Sequence, residues 1–299
     1  APLPVAFAAT DLGPQAPPVF IPKKGKEPVE PGFLTVLDER PAVITPLPDV
    51  PNSTGRRAAL ARWLTRPDNP LTGRVIVNRV WGWHFGKGLA ANASDFGKLG
   101  EAPTHPELLD YLAHWFTSDG EWSFKRLHRL IVTSSTYRQA TRHPEARAYA
   151  LKDPENRLYW RADTRRLQAE QIRDAILAVT GELDLKEGGP GVVGTQPRRT
   201  IYNRFMRNTR DPLLDVFDLP QFFTSASSRD TTTTPVQSLM LFNSQLMLLR
   251  ARALADRLER EAPGSESRLI DRAFRLVFGR APTSAEVADS QQFLVGQAR

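Results

Sequence analysis

The sequence predicts a mostly α-helical fold with minor β structure around residues 185–230, behind a proline-rich N-terminal arm. Apolar residues recur at helical spacing through most of the chain beyond residue 51. Capping residues and terminating glycines bracket these segments. Twelve of the 25 prolines fall in residues 1–51, where they remove backbone donors. We therefore expect an extended arm or linker over residues 1–51 and one helical domain over residues 52–299.

The first two predicted helices follow the arm directly. The first begins at a cap among residues 52–54 and continues through Arg66, where Pro67 ends it. The second begins at Pro70, with Asn69 as its cap, and continues to about Phe85. Its sequence, LTGRVIVNRVWGWHF, is apolar on almost every side, which is typical of a helix at the centre of a fold.

Local signals place the next three helical segments. Thr104 and Glu107 have the spacing of a capping box, and the helix that follows ends at Gly120. Ser123 is the expected cap of FKRLHRLIVTSSTYRQ. Residues 143–165 have the pattern of a connection that contains one short helical piece.

The remaining elements follow in order. RLQAEQIRDAILAVTG predicts a helix that ends at Gly181, whereas residues 185–230 mix glycine turns with short segments such as RRTIYNRFM. Thr234 and Gln237 form a second capping box, which opens one long helix ending near Glu261. Two further helices complete the chain, and the last opens with a capping box of Thr283 and Glu286. There is no internal repeat of the length that solenoids require.

Composition excludes several classes of protein. The chain has 40 Lys and Arg against 33 Asp and Glu, a net charge of +7. Thirty-two of the 40 cations are arginines spread among acidic residues, which favours internal ion pairing over nucleic-acid binding. The absence of cysteine excludes disulfides, thiolate metal sites and CxxCH haem attachment. No apolar run approaches the roughly 18 residues of a membrane-spanning helix.

The predicted central helix carries four candidate polar residues. Arg74 and Asn78 lie one turn apart with Arg79 beside them, so we expect at least one guanidinium to point inward toward a carboxylate. His84 follows in a segment that is otherwise apolar, where a buried imidazole needs a hydrogen-bond partner.

A second group lies on the helix that ends at Gly181. Glu170 and Asp174 are one turn apart on the face that also carries Arg173. Two carboxylates in this arrangement can hold a divalent cation or divide the roles of acid and base. They can equally be the internal partners of Arg74 or Arg79, and we favour this structural interpretation.

Two loops supply the remaining candidates. Asp95 and His105 lie in the loop ASDFGKLGEAPTH, which could share a groove with His84. Arg229 precedes TTTTP at a predicted helix N-terminus and could form an anion site there, unless Asp230 fills that role. The sequence has no HExxH, GxSxG, P-loop or GxGxxG motif, so no catalytic residue and no metal site are assigned.

The order of several motifs resembles one known family. They are EPGFLTVLD, ARWLTRPDNPLTGRVIVNRVWGWHFGKGL, DFGKLGEAPTHPELLDYLA, RLHRLIVTSSTYRQ, DPENRLYWR, RRLQAEQIRDAILAVTG and TTTTPVQSLMLFN. From about Pro31 to the end, the chain resembles the DUF1553, or PSD1, domain of planctomycete proteins. Many relatives read WxHHFG where this chain has Trp83 in place of the first histidine, which argues against a metal or haem role that needs both.

The resemblance implies a context for the chain. Such domains form the C-terminal part of exported multidomain proteins, usually behind a DUF1549 domain and often behind a planctomycete cytochrome c domain. A periplasmic or cell-surface location is then expected, any export signal would lie upstream of APLPVAFAA, and any haem would belong to the upstream cytochrome domain. The expected partners are those upstream domains and carbohydrate. Aromatic rings beside basic residues could stack on sugar rings, although most of them lie at helical core spacing, which favours core packing.

Three functions are compatible with these observations. The leading hypothesis is a non-catalytic binding or assembly module associated with a redox or carbohydrate-related system. The first alternative is an enzyme acting on an extracellular polysaccharide, with Glu170 and Asp174, or His84 and the Asp95 loop, as its site. The second alternative is nucleic-acid binding through the net positive charge, which predicts affinity that falls steeply with salt.

Overall fold

The computed structural model describes residues 11, 13–15, 17–23, 25–97, 99–206, 208–223 and 229–297. The sequence predicts that any export signal lies upstream of APLPVAFAA, and those nine residues lie outside this described part. The contacts of the chain divide it into two compact units, residues 1–164 and residues 165–299. Among the described residues, helices are the main element, and none of them is long and apolar enough to cross a membrane. The prediction of a mostly α-helical fold is confirmed.

Unit 1 is built around one helix, as the sequence predicts. Its helices are α1 (Arg56–Leu64), α2 (Thr72–Phe85), α3 (Pro106–Thr117), α4 (Phe124–Thr133) and α5 (Ala146–Lys152). Helix α2 packs against both α3 and α4, and its residues Val77 and Val80 are fully buried. A Cβ atom on Gly73 would lie 3.3 Å from the carbonyl oxygen of Ala113, so glycine permits the close approach of α2 and α3.

Of the four caps predicted in unit 1, the one at Ser123 is confirmed and the other three are wrong; α1, for example, begins after Gly55 and not after a residue in the range 52–54. Ser123 Oγ accepts a hydrogen bond from the amide of Arg126. Helix α2 begins at Thr72 with Leu71 as its N-cap, so Asn69 lies in the turn before the helix, where its Oδ1 accepts hydrogen bonds from the amides of Leu71 and Thr72. The predicted capping box at Thr104 does not form, because the Thr104 hydroxyl donates instead to the carbonyl of Leu89 at 3.3 Å.

A short part of the N-terminal segment packs onto α1 through one buried carboxylate. The ring of Phe33 stacks on that of Trp63, with 4.9 Å between centroids. Asp38 is buried and accepts hydrogen bonds from Arg40, from Trp63 Nε1 and from Arg66. The hydrogen bonds from Arg40, joined by that from Arg66, hold the pKa of Asp38 well below its usual value. Residues 33–40 are therefore attached to the unit; the wider arm over residues 1–51 stays a prediction.

Unit 2 contains a smaller core. Its helices are α6 (Ala169–Thr180), α7 (Pro212–Val216), α8 (Pro235–Asn243), α9 (Gln245–Glu261), α10 (Glu266–Phe278) and α11 (Ser284–Gln297), with a 3₁₀ turn at Thr200–Tyr202. Helix α6 contacts α7 and α9, and α9 also contacts α8 and α10. One cluster of buried apolar residues, which we call the core of unit 2, consists of Ala169, Leu213, Leu214, Phe217 and Leu219.

The predicted single helix from Thr234 to Glu261 is wrong, because the chain leaves the helical conformation at Ser244. Its ψ angle is 143°, and its hydroxyl accepts a hydrogen bond from the amide of Met247, so Ser244 ends α8 and caps α9. The capping box of Thr234 and Gln237 is confirmed, as is that of Thr283 and Glu286.

In the residues of unit 2 that the structure describes, β structure is limited to single bridges. Asp184 pairs with Arg198, Val192 with Asn203, and Met206 with Thr209. No strand longer than such a bridge forms in the described residues between 185 and 230, which confirms that β structure is minor. The carbonyl groups of this segment bind side chains instead, as the next section describes.

Candidate functional site

The centre of the candidate site in unit 2 is a buried arginine on α6. Arg173 is 6% exposed, and its guanidinium binds oxygen atoms of the segment that follows α6. Its Nη1 donates to the carbonyl of Arg198 at 2.8 Å and to Thr200 Oγ1 at 3.1 Å. Its Nη2 donates to the carbonyls of Gly194 and Gln196 at 2.7 and 2.6 Å. One side chain therefore holds three carbonyl groups of alternate residues.

Arg198 also binds carbonyl groups of alternate residues, which precede in the chain those bound by Arg173. Its Nη2 donates to the carbonyls of Lys186 and Gly188 at 2.8 and 2.7 Å, and its Nη1 makes a longer contact, 3.5 Å, with the carbonyl of Pro190. The guanidinium also lies over the ring of Tyr202, 4.2 Å from its centroid. Two guanidinium groups thus provide the donors that a neighbouring strand would provide in a sheet.

Asp174 is part of the same cluster. Its Oδ1 accepts hydrogen bonds from the amide and the hydroxyl of Thr200, at 2.8 and 2.6 Å, and lies 3.5 Å from Arg173 Nη1. Burial lowers the pKa of Arg173, while the charges of Asp174 and Asp211 oppose that change. An arginine in this setting remains charged at neutral pH, so the carboxylates neutralise a cation inside the fold.

Glu170 lies one turn earlier on α6 and pairs with Arg229. The two guanidinium nitrogens donate to the two carboxylate oxygens at 2.6 and 2.8 Å, a bidentate ion pair. Burial opposes ionisation of Glu170, but the hydrogen bonds and charge of Arg229 outweigh it, and the pKa of Glu170 is lowered. The cavity beside Arg229 has a volume of about 20 Å³, which is room for about one water molecule.

The polar residues of α2 also bind within the fold. Arg74 Nε donates to Asp110 Oδ1 of α3 at 2.6 Å, and Arg79 Nη2 donates to the carbonyl of Ala93 at 3.3 Å. Arg74 therefore has a carboxylate partner, but it is neither Glu170 nor Asp174, and the pair lies at the surface with side chains 37% and 56% exposed. The predicted guanidinium that points inward toward a carboxylate is not this one. Asn78 is fully buried, and its amide group binds both the amide and the carbonyl of Ala90 at 2.9 Å.

His84 has a histidine as its hydrogen-bond partner. Its Nε2 lies 2.7 Å from His128 Nδ1 on α4, and the edge of its ring meets that of Tyr137 at 5.5 Å between centroids. The need for a partner follows from the sequence, but the choice of His128 does not, because that residue lies at the margin of an amphipathic helix. A nearby buried pair, in which Trp81 Nε1 donates to the Tyr159 hydroxyl at 2.8 Å, also lacks a local sequence signal.

The two loop candidates do not join this pair through a hydrogen bond. Asp95 Oδ1 accepts from the amide of Gly97 at 3.3 Å, which closes a turn in its own loop; Lys98 of that loop lies outside the described residues. His105 Nδ1 lies 3.0 Å from the Thr104 hydroxyl, and its ring is 5.5 Å from that of Tyr159. The predicted groove shared by His84 and the Asp95 loop stays a prediction.

A larger open cavity in unit 1 is lined by none of the candidate residues. It has a volume of about 480 Å³ and is formed in unit 1 by the N-terminal segment and the start of α1, with Glu30, Pro41 and Arg56 among its lining residues. The part of the chain that the structure describes contains no group of three or more His, Asp or Glu residues placed to hold a metal ion.

Comparison with known proteins identifies the chain at the level of its family. Neither a curated protein nor a solved structure matches it. The family described as PSD1, protein of unknown function (DUF1553), matches residues 56–294, which is most of the chain. The match covers every helix described above except the last residues of α11. The chain therefore belongs to the PSD1 (DUF1553) family.

Proposed function

We propose that the chain is a non-catalytic module that binds another protein surface within a larger assembly. The observation that carries this proposal is the placement of polar and apolar side chains in unit 2. Arg173 and Gln237 are buried, whereas Phe242, Phe278 and Phe293 on α8, α10 and α11 are 80%, 62% and 64% exposed. Large apolar side chains exposed on several helices of one unit are typical of surfaces that bind other proteins.

The candidate acid–base residues support the same proposal. A general acid or base must reach its substrate, and its hydrogen-bonding atoms must be available for the reaction. Glu170 uses both carboxylate oxygens on Arg229, and Asp174 uses Oδ1 on Thr200. The cavity lined by Arg229 is too small for a sugar residue. These contacts favour a structural role over hydrolysis of a polysaccharide.

The proposed partners are the domains that precede this one in an exported polypeptide. This part of the proposal comes from the resemblance to planctomycete proteins in which a DUF1549-like domain, and often a cytochrome c domain, lies upstream. In that setting the chain works in the periplasm or at the cell surface, and haem chemistry belongs to the upstream domain. Residues 1–51 then connect the helical domain to its neighbours.

Binding to the separately produced DUF1549-like domain tests the proposal. Isothermal titration of the full 299-residue chain with that domain is expected to show saturable binding. The variants Phe278→Glu and Phe293→Glu are expected to weaken it about tenfold or more, because a charge would be buried at the interface. Leu151→Glu, at an exposed apolar position on α5 of unit 1, is the control for an added charge. Absence of binding, or equal weakening by all three variants, would overturn the proposal.

A further inference from the structure

Helix α8 buries one polar residue, Gln237, and exposes most of its large apolar residues. Gln237 is 2% exposed, and its Nε2 donates to the carbonyl of Val216 at 2.9 Å and to the Thr232 hydroxyl at 3.3 Å. Its Oε1 accepts hydrogen bonds from Arg166 Nη2 and from the amide of Thr234. The helix is therefore anchored to unit 2 by a polar side chain that makes four hydrogen bonds.

The outer face of α8 is formed by three large apolar residues. Val236, Leu239 and Phe242 are 57%, 58% and 80% exposed. At 3.6 residues per turn, these positions span an arc of about 120°, and Gln237 and Met240 lie outside that arc. Met240 is the apolar residue of α8 that packs against the core of unit 2. The core of this unit thus occupies one side of the helix, and the opposite side is apolar apart from the uncharged side chain of Asn243.

The segment that carries this face has no charged side chain. Residues 231–249, between Asp230 and Arg250, are nineteen consecutive uncharged residues in a chain whose net charge is +7. A surface that pairs with itself across a twofold axis must be complementary to itself, and charged groups near that axis would oppose their own copies. An uncharged apolar surface meets this condition, because neither copy brings a charge to the contact.

We propose that the α8 face binds the α8 face of a second copy of this chain. The inference rests on the proposed assembly function and names the partner at one of its surfaces. The size of the surface agrees with a dimer. Leu246, Leu248 and Leu249 in the first turn of α9 are between 39% and 57% exposed. With the three residues of α8, they present on the order of 600 Å² per copy, about 1,200 Å² in a dimer, at the lower end of the range for stable interfaces.

Sedimentation equilibrium of the full chain, across micromolar concentrations, tests this inference. The wild-type chain is expected to show a monomer–dimer equilibrium, and Phe242→Glu is expected to weaken dimerisation about 30-fold or more. Leu239→Glu is expected to act in the same direction. Circular dichroism identifies any variant that fails to fold, and Leu151→Glu on α5 is the control for an added charge at an exposed apolar position.

Each outcome decides between the two proposals. A wild-type chain that is monomeric at every concentration, or a dimer that Phe242→Glu leaves intact, would overturn self-association through α8. If the chain stays monomeric and Phe242→Glu abolishes binding to the DUF1549-like domain, the second copy is excluded and the assembly function stands. If the wild-type chain dimerises, Phe242→Glu weakens the dimer and no upstream domain binds, self-association through α8 is supported and the DUF1549-like domain is excluded as the partner.

Discussion

Arg173→Met removes one guanidinium that makes four hydrogen bonds to a segment with almost no other regular structure. Three of its acceptors are backbone carbonyls at residues 194, 196 and 198, and the fourth is the Thr200 hydroxyl. Methionine fills a similar volume without a donor. The substitution therefore tests the hydrogen bonds themselves, with little change in packing.

The expected loss of stability is about 4 kcal/mol. A hydrogen bond to a charged group contributes about 1.5–3 kcal/mol, and removing one member of a buried ionic network costs about 3–5 kcal/mol, partly because its partners lose their contacts. Water that enters after the change can satisfy some of the carbonyls, so the four contributions do not add. Arg173→Lys keeps the charge but cannot span the alternate carbonyls, and we expect it to cost about half as much.

Urea denaturation with two optical probes measures this effect. All six tryptophans lie in residues 1–164, so tryptophan fluorescence reports unit 1, whereas far-ultraviolet circular dichroism reports helices of both units. Arg173→Met is expected to move part of the circular dichroism transition to lower urea. Arg252→Met, at an exposed arginine of α9, serves as the control. A loss below about 1 kcal/mol for Arg173→Met would refute the structural role of this side chain.

Three further experiments test other contacts. Asn78→Leu leaves the buried amide and carbonyl of Ala90 without partners, so we expect a loss of about 2–4 kcal/mol in urea denaturation followed by fluorescence. The folded state lowers the pKa of Asp38, so the ionised carboxylate stabilises the fold above its unfolded pKa, and this stabilisation is lost as the pH falls. Asp38→Asn removes the titrating group, so we expect the variant to lose less stability than the wild-type chain between about pH 5 and pH 2. A double-mutant cycle with Glu170→Gln and Arg229→Gln is expected to give a coupling free energy of about 1 kcal/mol, since both groups are partly exposed.

Different results would contradict each expectation. A neutral Asn78→Leu variant would mean that the Ala90 groups find water or other partners. If the wild-type chain and the Asp38→Asn variant lose the same stability as the pH falls, a group other than Asp38 is responsible for that loss. A coupling free energy near zero would remove the Glu170–Arg229 pair as a stabilising contact.

The sequence predicts those features that depend on neighbouring residues. The central position of α2 follows from its nearly continuous apolar surface, and the caps at Ser123, Thr234 and Thr283 follow from residue types one turn apart. The break at Ser244 is also local, yet serine is compatible with both a helix interior and a cap, and the apolar pattern continues across it. Sequence reasoning therefore joins two helices into one at this point.

The contacts of the candidate site depend on residues far apart in the chain. Glu170 and Arg229 are separated by 59 positions and Arg74 and Asp110 by 36, so only the packed helices select these partners. The partners of Arg173 are harder to predict, because every residue carries a carbonyl group and none of them is marked in the sequence. Sequence reasoning therefore predicts that these charges are satisfied internally without predicting by which groups.

The stability of carboxylate variants on α6 tests most directly whether the candidate residues serve the fold. Residues that are kept for catalysis often lower stability, so their removal leaves it unchanged or raises it. We predict that Asp174→Ala and Glu170→Ala each lower the free energy of unfolding by about 1–3 kcal/mol, because they lose their contacts with Thr200 and Arg229, respectively. Glu259→Ala, at an exposed position of α9, is the control and is expected to have little effect. Unchanged or increased stability of both variants would contradict the account and favour an active site at this position.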